Sequence, residues 1–503
     1  MDYDFSLNYS RQLGDKHYVF GFLSYSLSEN TFEEDIFKAE GFPSDKMNSI
    51  FFARQYTENS KPTGSESTSR SVGVNAVFNY SFDDRLLMDV TYRTNASSQF
   101  GANQRWGNFW SFGGGWNIHN EKWMRELGWF SRLKLRASLG STGSQGSNAY
   151  QSLATYNYSD KYYEDALGAY LLGMKNDDLK WQKKMDYNLG VDMTVKNCFN
   201  LVFDYYQSIT ENLLVALTLP PSSGFTTVQE NIGKVKNAGV EVNMSYTVFS
   251  HAKDRSYLTL ALRGAHNKNK VLKISDSMKA YNERMDKEML EGGKPVIKYY
   301  DGVSMNAIWA VPSLGIDPAT GREIYRKKDG RSTFTYDVND MVICGDNLPK
   351  LNGSFSINLG YKGLGFNMTC IYELGAKMFN QTLIDRVENV DMHYNVDRRV
   401  LEGRWQNPGD VVRFRSLKSY WDPETQTYPR DVQTKATSRF VQKKNELNIS
   451  SINISYDFYR YAFVKQIGLE RLSLAFYMND VAKLSTIKTE RGLAYPFARN
   501  YNF

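Results

Sequence analysis

Several residue types and patterns are scarce in this chain of 503 residues, and each shortage excludes a class of protein. The three cysteines are few, odd in number and far apart, which argues against a disulfide framework and against a CxxC metal site. No run of about 18 apolar residues occurs, so a helical membrane protein is excluded. Lysine and arginine form no runs and the net charge is only +6, so we expect no nucleic-acid partner.

The sequence also lacks the patterns that organise an active site or a cofactor site. Its five histidines are scattered, with no HExxH motif and no Cys/His cluster. The Gly/Ser-rich run from Gly140 to Ser147 lacks the Gly-Lys-Ser/Thr ending of a phosphate-binding loop. We therefore predict no catalytic residue, no cofactor and no metal, and the chain is not expected to be an enzyme.

What the chain does contain is strict alternation of apolar and polar residues. From Asp186 to Val195 the odd positions are apolar and the even positions are mostly polar, and the same period of two recurs at 240–248, 354–361 and 472–478. Successive side chains of a β-strand point to opposite faces, so each segment is predicted to be a strand with one apolar and one polar face. Cys370 falls on such an apolar row, where a small buried thiol is expected.

About 15 strands are predicted, and short turns alternate with long loops between them. The strands are expected near 2–12, 17–28, 70–82, 85–97, 109–119, 131–142, 181–195, 199–213, 235–249, 256–270, 352–362, 366–379, 446–458, 470–484 and 495–503. The long loops are expected near 29–69, 143–180, 214–234, 271–351 and 380–445. Short turns on one rim and long loops on the other are typical of outer-membrane barrels, whose long loops lie outside the cell. The fold class predicted is therefore all-β, a transmembrane antiparallel β-barrel.

Specific sequence blocks extend this prediction to a family. In order they read LKLRASLGSTGSQ (Leu133 to Gln145), NDDLKWQKKMDYNLGVDM (Asn176 to Met193), ENIGKVKNAGVEVNMSY (Glu230 to Tyr246), DPATGREIY (Asp317 to Tyr325), RWQNP (Arg404 to Pro408) and YPFARNYNF (Tyr495 to Phe503). They resemble the ordered blocks of the SusC/RagA family of TonB-linked outer-membrane transporters, and the resemblance spans essentially the whole chain. Within the third block, Gly239 is expected to kink a strand where it leaves the rim.

The resemblance implies a fold, a location, a function and partners. Residues 1–503 would be one partial barrel domain, about 15 C-terminal strands of a 22-stranded barrel, with the signal peptide, the TonB-contacting segment and the plug domain missing. The protein would lie in the outer membrane and import a nutrient, either a glycan or oligosaccharide or a peptide. Its expected partners are a SusD-like surface lipoprotein, the TonB–ExbB–ExbD complex acting through the missing N-terminal part, and the lipid bilayer.

Candidate site residues lie in the loops and at the C-terminus. Trp309, Trp405, Tyr420 and Trp421 are candidates for stacking on sugar rings, and the alternative is that they pack the loops against one another. Tyr501 and Phe503 match the C-terminal aromatic signal that the family presents to the barrel-assembly machinery. Family members often carry a calcium-loop-like run after the DPATG block. Here the corresponding aspartates do not fit an EF-hand spacing, so no calcium is predicted there; they are Asp329, Asp337 and Asp340.

Two other classes stay open at the level of sequence. One is a self-contained passive porin of about 16 strands, which would conduct ions without a plug. The other is a soluble secreted β-sandwich that acts as a glycan-binding or adhesin module. A sandwich would place the apolar rows of two sheets against each other in a dry interior, so the exposure of those rows distinguishes it from a barrel.

Overall fold

The computed structural model describes residues 1–58, 60, 63–144, 149–163, 166–218, 227–292, 295–390, 396–417, 433–458, 461–487 and 501–502. Its main feature is a 15-stranded sheet in which each strand is hydrogen-bonded to its neighbours in chain order. The strands are β1 Asp2–Leu13, β2 His17–Ile36, β3 Thr63–Phe82, β4 Leu86–Ser97, β5 Trp106–Asn117, β6 Phe130–Ser144, β7 Gln182–Val195, β8 Phe199–Thr218, β9 Thr227–His251, β10 Ser256–Lys273, β11 Leu351–Tyr361, β12 Leu364–Phe379, β13 Val441–Asp457, β14 Ser473–Ser485 and β15 Tyr501–Asn502. The fifteen predicted strands are thus confirmed, although the last is described only at its end.

The chain divides into two compact units. The first comprises Met1–Gly114, Ser138–Asp186 and Thr210–Ile232, and the second comprises Gly115–Ala137, Tyr187–Ile209 and Gly233–Phe503. In the first unit, each of the strands β1 to β4 pairs antiparallel with the next. In the second unit, β10 to β14 do the same.

Tight turns join the strands where the sequence predicted them. Asp83 and Asp84 have φ angles of 54° and 51°, and Lys196 and Asn197 have φ angles of 48° and 55°. Positive φ at both central positions is the type I′ hairpin turn, whose twist matches that of the strands it joins. Aspartate and asparagine tolerate this region better than most residues, so these turns fix the registers of β3 with β4 and of β7 with β8.

Large apolar side chains on the strands of the second unit are exposed. Tyr187 and Leu189 of β7 are 42% and 58% exposed, and Tyr246 and Val248 of β9 are 46% and 44% exposed. Within the described residues, no second sheet covers these side chains, so the sandwich with a dry interior is wrong for this wall. Exposed apolar rows on antiparallel strands are what a lipid-facing barrel wall requires. The fold-class prediction, an all-β sheet of the outer-membrane barrel type, is confirmed.

The prediction of a kink at Gly239 is wrong. Gly239 lies inside β9 and pairs with His266 of β10 without a register shift at that position. A Cβ atom at residue 239 would lie 2.7 Å from the hydroxyl oxygen of Tyr206 and 2.2 Å from the carbonyl oxygen of His266. The glycine is therefore needed for the close approach of the Tyr206 side chain, and it lies inside the strand, not where the strand leaves the rim. Cys370 is buried, as predicted.

Hydrophobic clusters lie outside the lipid-facing rows. In the first unit, Phe100, Phe109 and Trp181 form one cluster. In the second unit, buried residues of the long connections form two more clusters: Val311, Val338, Met341 and Ala436 in one, and Leu383, Ile384, Val387, Phe414 and Phe440 in the other. The core of this unit therefore sits largely in its loops.

The connections also contain short helices and strands. The helices are α1 Lys122–Leu127, α2 Asp276–Gly292, α3 Gln381–Leu383, continued by a π-helical turn Ile384–Glu388, and α4 Ala462–Gln466. The loop strands pair as Ala39–Glu40 with Gln55–Tyr56, Thr155–Tyr163 with Ala166–Gly173, Ala307–Ala310 with Val342–Asp346, and Glu323–Arg326 with both Ser313–Ile316 and Ser332–Thr333. Over the described ranges, no helix is long and apolar enough to cross a membrane.

Candidate functional site

The described parts of two long connections of the second unit, within residues 274–350 and 380–440, fold together, and we name them the loop body. The backbone N–H of Val311 donates to the carbonyl oxygen of Ala436 at 3.1 Å, and the N–H of Ser438 donates to the carbonyl oxygen of Val311 at 2.9 Å. Val311 and Ala436 are fully buried in the same hydrophobic cluster. The loop body thus has its own core, as expected of a folded surface loop and not of a linker.

A buried ion cluster joins the two connections. The Arg439 guanidinium donates to both oxygens of Glu388, at 2.7 and 3.0 Å, and to Glu323 Oε2 at 2.8 Å. The side chains of Glu388 and Glu323 are 0% and 2% exposed, and that of Arg439 is 8% exposed. Glu388 also accepts from Thr434 Oγ1 at 2.5 Å and lies 3.4 Å from Arg415 Nε. Buried charges persist only when they are paired in this way, so the cluster fixes the position of residues 388, 434 and 439 relative to residue 323.

The proton equilibria of the cluster favour its charged form. Burial alone would raise the pKa of the Glu388 carboxyl, but the hydrogen bonds and positive charge of Arg439, with help from Thr434 and Arg415, hold that pKa below its usual value. Burial alone would lower the pKa of the Arg439 guanidinium, but the charges of Glu323 and Glu388 raise it. Both groups are therefore ionised at neutral pH, and the cluster serves as a fixed structural anchor.

A recess of about 460 Å³ opens beside the hydrophobic core of the loop body. Its lining residues come from α2 and from three segments of the first connection; they are Asp286, Lys298, Tyr300, Trp309, Lys328, Val338, Asn339, Met341, Val342 and Ile343. The volume lies within the range of about 300–1,000 Å³ that is usual for small-molecule sites. The lining combines aromatic rings, aliphatic side chains and a few charged or amide groups, which is the composition of such sites.

One wall of the recess is built around Trp309. The ring of Tyr300 lies 5.0 Å from the ring of Trp309, and the indole N–H of Trp309 donates to the carbonyl oxygen of Lys298 at 3.3 Å. The Lys298 ammonium lies 5.5 Å from the Tyr300 ring centre and 5.8 Å from the Trp309 ring centre. It also pairs with Asp286 at 2.5 Å, and its side chain is 6% exposed. The wall is therefore rigid, with the cation, both rings and the carboxylate holding one another in place.

Trp405 lies elsewhere in the loop body and has contacts within the protein. Its indole N–H donates to the carbonyl oxygen of Pro318 at 2.8 Å. Its ring lies over Gly321, where an added Cβ would come within 2.5 Å of the indole and where φ is +72°. Asp317 closes the same turn by accepting from Thr320 Oγ1 at 2.5 Å. Trp405 thus packs the RWQNP block onto the DPATG block, and its contact with a ligand stays a prediction.

The remaining predicted residues are placed as follows. Tyr420, Trp421 and Phe503 lie outside the described residues. Tyr501 pairs through its backbone with Met478 of β14. Each aspartate of the DPATG-following run accepts a local hydrogen bond: Asp329 from Arg331, Asp337 from the N–H of Asn339, and Asp340 from the N–H of Lys328. In the part of the chain that the structure covers, no three or more His, Cys, Asp or Glu residues cluster as metal ligands.

Sequence reasoning proposed Trp309 as a ligand contact, which stays a prediction, and it missed the groups around Trp309 and the ion cluster. The partners of Arg439 are 51 and 116 residues away, at Glu388 and Glu323. Asp286 and Lys298 are 12 residues apart, on a helix and an extended segment. No local sequence pattern predicts ion pairs of this kind, because the distance between the two charged groups depends on how the loops fold back. Glu388 stands in a run rich in charged and polar residues, Ile384 to Asp391, so nothing in the sequence marks it as buried.

Comparison with known proteins gives related proteins of greater length. The chain is 26% identical to the TonB-dependent receptor P39 of Formosa agariphila over an alignment of 534 residues. This alignment covers 95% of this chain and 49% of the relative. It is 27% identical to the TonB-dependent receptor SusC of Bacteroides thetaiotaomicron over an alignment of 329 residues. This alignment covers 62% of this chain and 31% of the relative. The chain therefore spans about half the length, or less, of the curated relatives that it matches.

Solved structures share the fold. The RagAB peptide transporter matches with a TM-score of 0.81 and 22% identity, over 97% of this chain and 52% of that one. The RagAB peptide importer in its 'open-open' state matches with a TM-score of 0.78 and 21% identity, and the match covers 97% of this chain and 51% of that one. At this identity the likeness concerns the fold alone.

The family is established by a match over more than half of the chain. Residues 1–296 match the family described as TonB dependent receptor-like, beta-barrel. With the SusC relative and the RagAB fold, this match confirms the predicted resemblance to SusC/RagA proteins and the predicted location in the outer membrane. This chain belongs to the TonB-dependent receptor-like β-barrel family.

Proposed function

We propose that this chain forms most of the barrel wall and of the outward loops of a TonB-dependent importer for a glycan or oligosaccharide. In this proposal it supplies about 15 strands of a 22-stranded barrel, and a SusD-like surface lipoprotein covers the loops. The TonB–ExbB–ExbD complex supplies the energy for passage to the periplasm. The chain itself is not an enzyme; it binds and conducts.

The observation that supports a glycan as ligand is the recess at Trp309. The CH groups of a sugar ring bury apolar surface on an aromatic side chain, and sugar hydroxyls donate hydrogen bonds to carboxylates and both donate to and accept from amides. Trp309 and Tyr300 offer the rings, and Asp286 and Asn339 offer the polar groups. The ion pair of Lys298 with Asp286 holds this arrangement without a ligand, so little ordering is needed on binding.

Import can be tested by growth. We expect a strain with an in-frame deletion of this coding region to lose growth on one class of oligosaccharide as sole carbon source, and to keep growth on the free monosaccharide. A strain without TonB should show the same loss. Growth lost on peptides but kept on all oligosaccharides would overturn the glycan proposal. Oligosaccharide uptake that needs this chain but not TonB would favour the passive porin instead.

Binding can be tested with two tryptophan variants. The protein is purified from outer membranes in detergent, and calorimetry with the growth-supporting oligosaccharide compares Trp309→Ala with Trp123→Ala. Trp123 is 53% exposed in α1, far along the chain from the loop body, and serves as the matched control. Loss of the indole at residue 309 should weaken binding about tenfold, since burying a large apolar side chain contributes about 1.5–3 kcal/mol. Equal affinity of the two variants would contradict the site, and unchanged protease resistance of the loops checks their folding.

A further inference from the structure

We propose that the recess at Trp309 binds an acidic sugar residue, a uronate or a sulfated sugar, with Lys328 as the residue that pairs with its negative charge. This inference rests on the proposed function, because it takes the ligand to be a glycan and adds the chemical class of the sugar. It follows from the charges that line the recess, from their partners and from the rigidity of the wall built around Trp309.

The charged lining of the recess is unbalanced. Two lysines, Lys298 and Lys328, and one aspartate, Asp286, line it, so its formal charge is +1. Lys298 and Asp286 neutralise each other at 2.5 Å, and the Lys298 side chain is almost fully buried. Lys328 also lines the recess and is exposed to solvent. A neutral sugar would leave this charge unused, whereas a carboxylate or sulfate would form a charge-assisted hydrogen bond with it.

The lysine is held at the recess by its backbone. The N–H of Lys328 donates to Asp340 Oδ1 at 3.0 Å. Asp340 ends the short helix Val338–Asp340, and that helix also carries Asn339, a second polar residue of the lining. The backbone that carries Lys328 is therefore attached to the short helix that carries Asn339, so both residues start from fixed backbone positions at the recess.

The wall built around Trp309 is also fixed. Asn282 of α2 donates to the carbonyl oxygen of Tyr299 at 2.6 Å and accepts from the N–H of Tyr299 at 2.9 Å. These two bonds attach the segment that carries Lys298 and Tyr300 to the helix that carries Asp286. A sugar ring placed against Trp309 would thus meet a rigid aromatic wall in a recess that Lys328 also lines.

The experiment compares acidic with neutral ligands on single-lysine variants. Calorimetry of the detergent-purified protein uses trigalacturonate, a sulfated galactose disaccharide, the neutral trisaccharide made by reducing the carboxylates of trigalacturonate, and triglutamate. The variants are Lys328→Gln and, as matched control, Lys327→Gln, the adjacent lysine that does not line the recess. We expect Lys328→Gln to weaken at least one acidic sugar about tenfold or more and to leave the neutral trisaccharide unchanged, because one charge-assisted bond is removed. Lys327→Gln should change neither.

Several outcomes would overturn the inference. The first is that the neutral trisaccharide binds as tightly as both acidic sugars. The second is that Lys328→Gln loses affinity for the acidic and the neutral ligands alike. The third is that Lys328→Gln loses no affinity for either acidic sugar. If neutral oligosaccharides bind in a Trp309-dependent manner, the glycan proposal stands and only the acidic class fails. If triglutamate binds and no sugar does, the glycan proposal itself fails and a peptide ligand replaces it.

Discussion

The barrel wall and the loop body of the second unit put their apolar side chains in opposite places. In β7 and β9, Leu189 and Tyr246 are 58% and 46% exposed. In the loop body, Val311 and Phe440 are fully buried, and even the charged cluster at Glu388 is closed to solvent. The same amino-acid types therefore follow two different rules within one folded unit.

The difference shows which solvent each region meets. A sheet in lipid keeps its apolar row outward and satisfies its backbone through neighbouring strands, so it needs no apolar core. A loop in water must bury apolar groups against one another and must pair every charge that it buries. Substitutions should therefore act oppositely in the two regions, and the following predictions go from the largest expected effect to the smallest.

Removal of the Glu388 carboxylate should loosen the loop body and leave the wall intact. Glu388→Ala leaves Arg439 and Arg415 without their shared buried partner, a change that costs about 3–5 kcal/mol in comparable sites. Hydrogen exchange should become faster in residues 380–390 and 433–440 and stay unchanged in β11. Asp329→Asn, which breaks an exposed pair with Arg331, is the control and should change little. Unchanged exchange in Glu388→Ala would show that the cluster does not hold the loops.

A charge on the apolar row should destabilise the wall. Leu189→Lys places an ammonium on the exposed row of β7, which costs about 2–4 kcal/mol at the bilayer midplane and little in water. Urea titration of the protein in lipid vesicles measures the cost, with Asn188→Lys on the opposite face of the strand as control. Equal stability of the two variants would mean that this row does not meet lipid.

Acid should weaken the loop body through Glu388. Since the pKa of this carboxyl is lowered in the folded protein, the unfolded chain binds a proton at a higher pH than the folded chain does. The stabilisation is complete above the unfolded value of about 4.3 and is lost as the pH falls through the lowered pKa. The protease resistance of the loops, measured after incubation from pH 7 to pH 3, should fall in this window. Glu388→Gln should lack this pH-dependent fall, and an identical profile would assign the fall to other groups.

The smallest effect concerns the indole N–H of Trp405. Trp405→Phe keeps an aromatic ring over Gly321 and removes the hydrogen bond to Pro318, which contributes about 1 kcal/mol. Hydrogen exchange at residues 317–321 should increase slightly, with no change in β12. A large loss of oligosaccharide affinity in this variant would instead assign Trp405 to the ligand site.

The sequence predicted the wall well because its signals are local. Two-residue alternation and the turns at Asp83-Asp84 and Lys196-Asn197 depend on adjacent residues only. The largest errors in strand length occur where β2 continues to Ile36 and β9 begins at Thr227. Residues 31–36 pair fully with residues 63–68, yet they read Thr-Phe-Glu-Glu-Asp-Ile. Where both faces of a strand meet water, the backbone pairing between strands persists. The alternation of apolar and polar residues, by which the sequence reveals a strand, is then absent.

The loop body was much less predictable. Trp309 and Trp405 are the same residue type in loops of similar length, yet one lines a recess and the other packs over Gly321. Their neighbours in space, Lys298 and Pro318, decide the difference, and these are 11 and 87 residues away along the chain. Residue composition and local spacing do not predict contacts between residues that are this far apart in the sequence.

By itself, the sequence determined that the chain is an antiparallel sheet with one lipid-facing row, since strand periodicity and turn geometry are properties of neighbouring residues. It also determined the family, through ordered blocks such as NAGVEVNMSY. The tertiary structure alone decided that Glu388, Arg439 and Glu323 meet in one buried cluster, and that Trp309 shares a recess with Lys298 and Lys328. The physical reason is that charge pairing and recess shape depend on distances through space, which are fixed only once the two long connections have folded together.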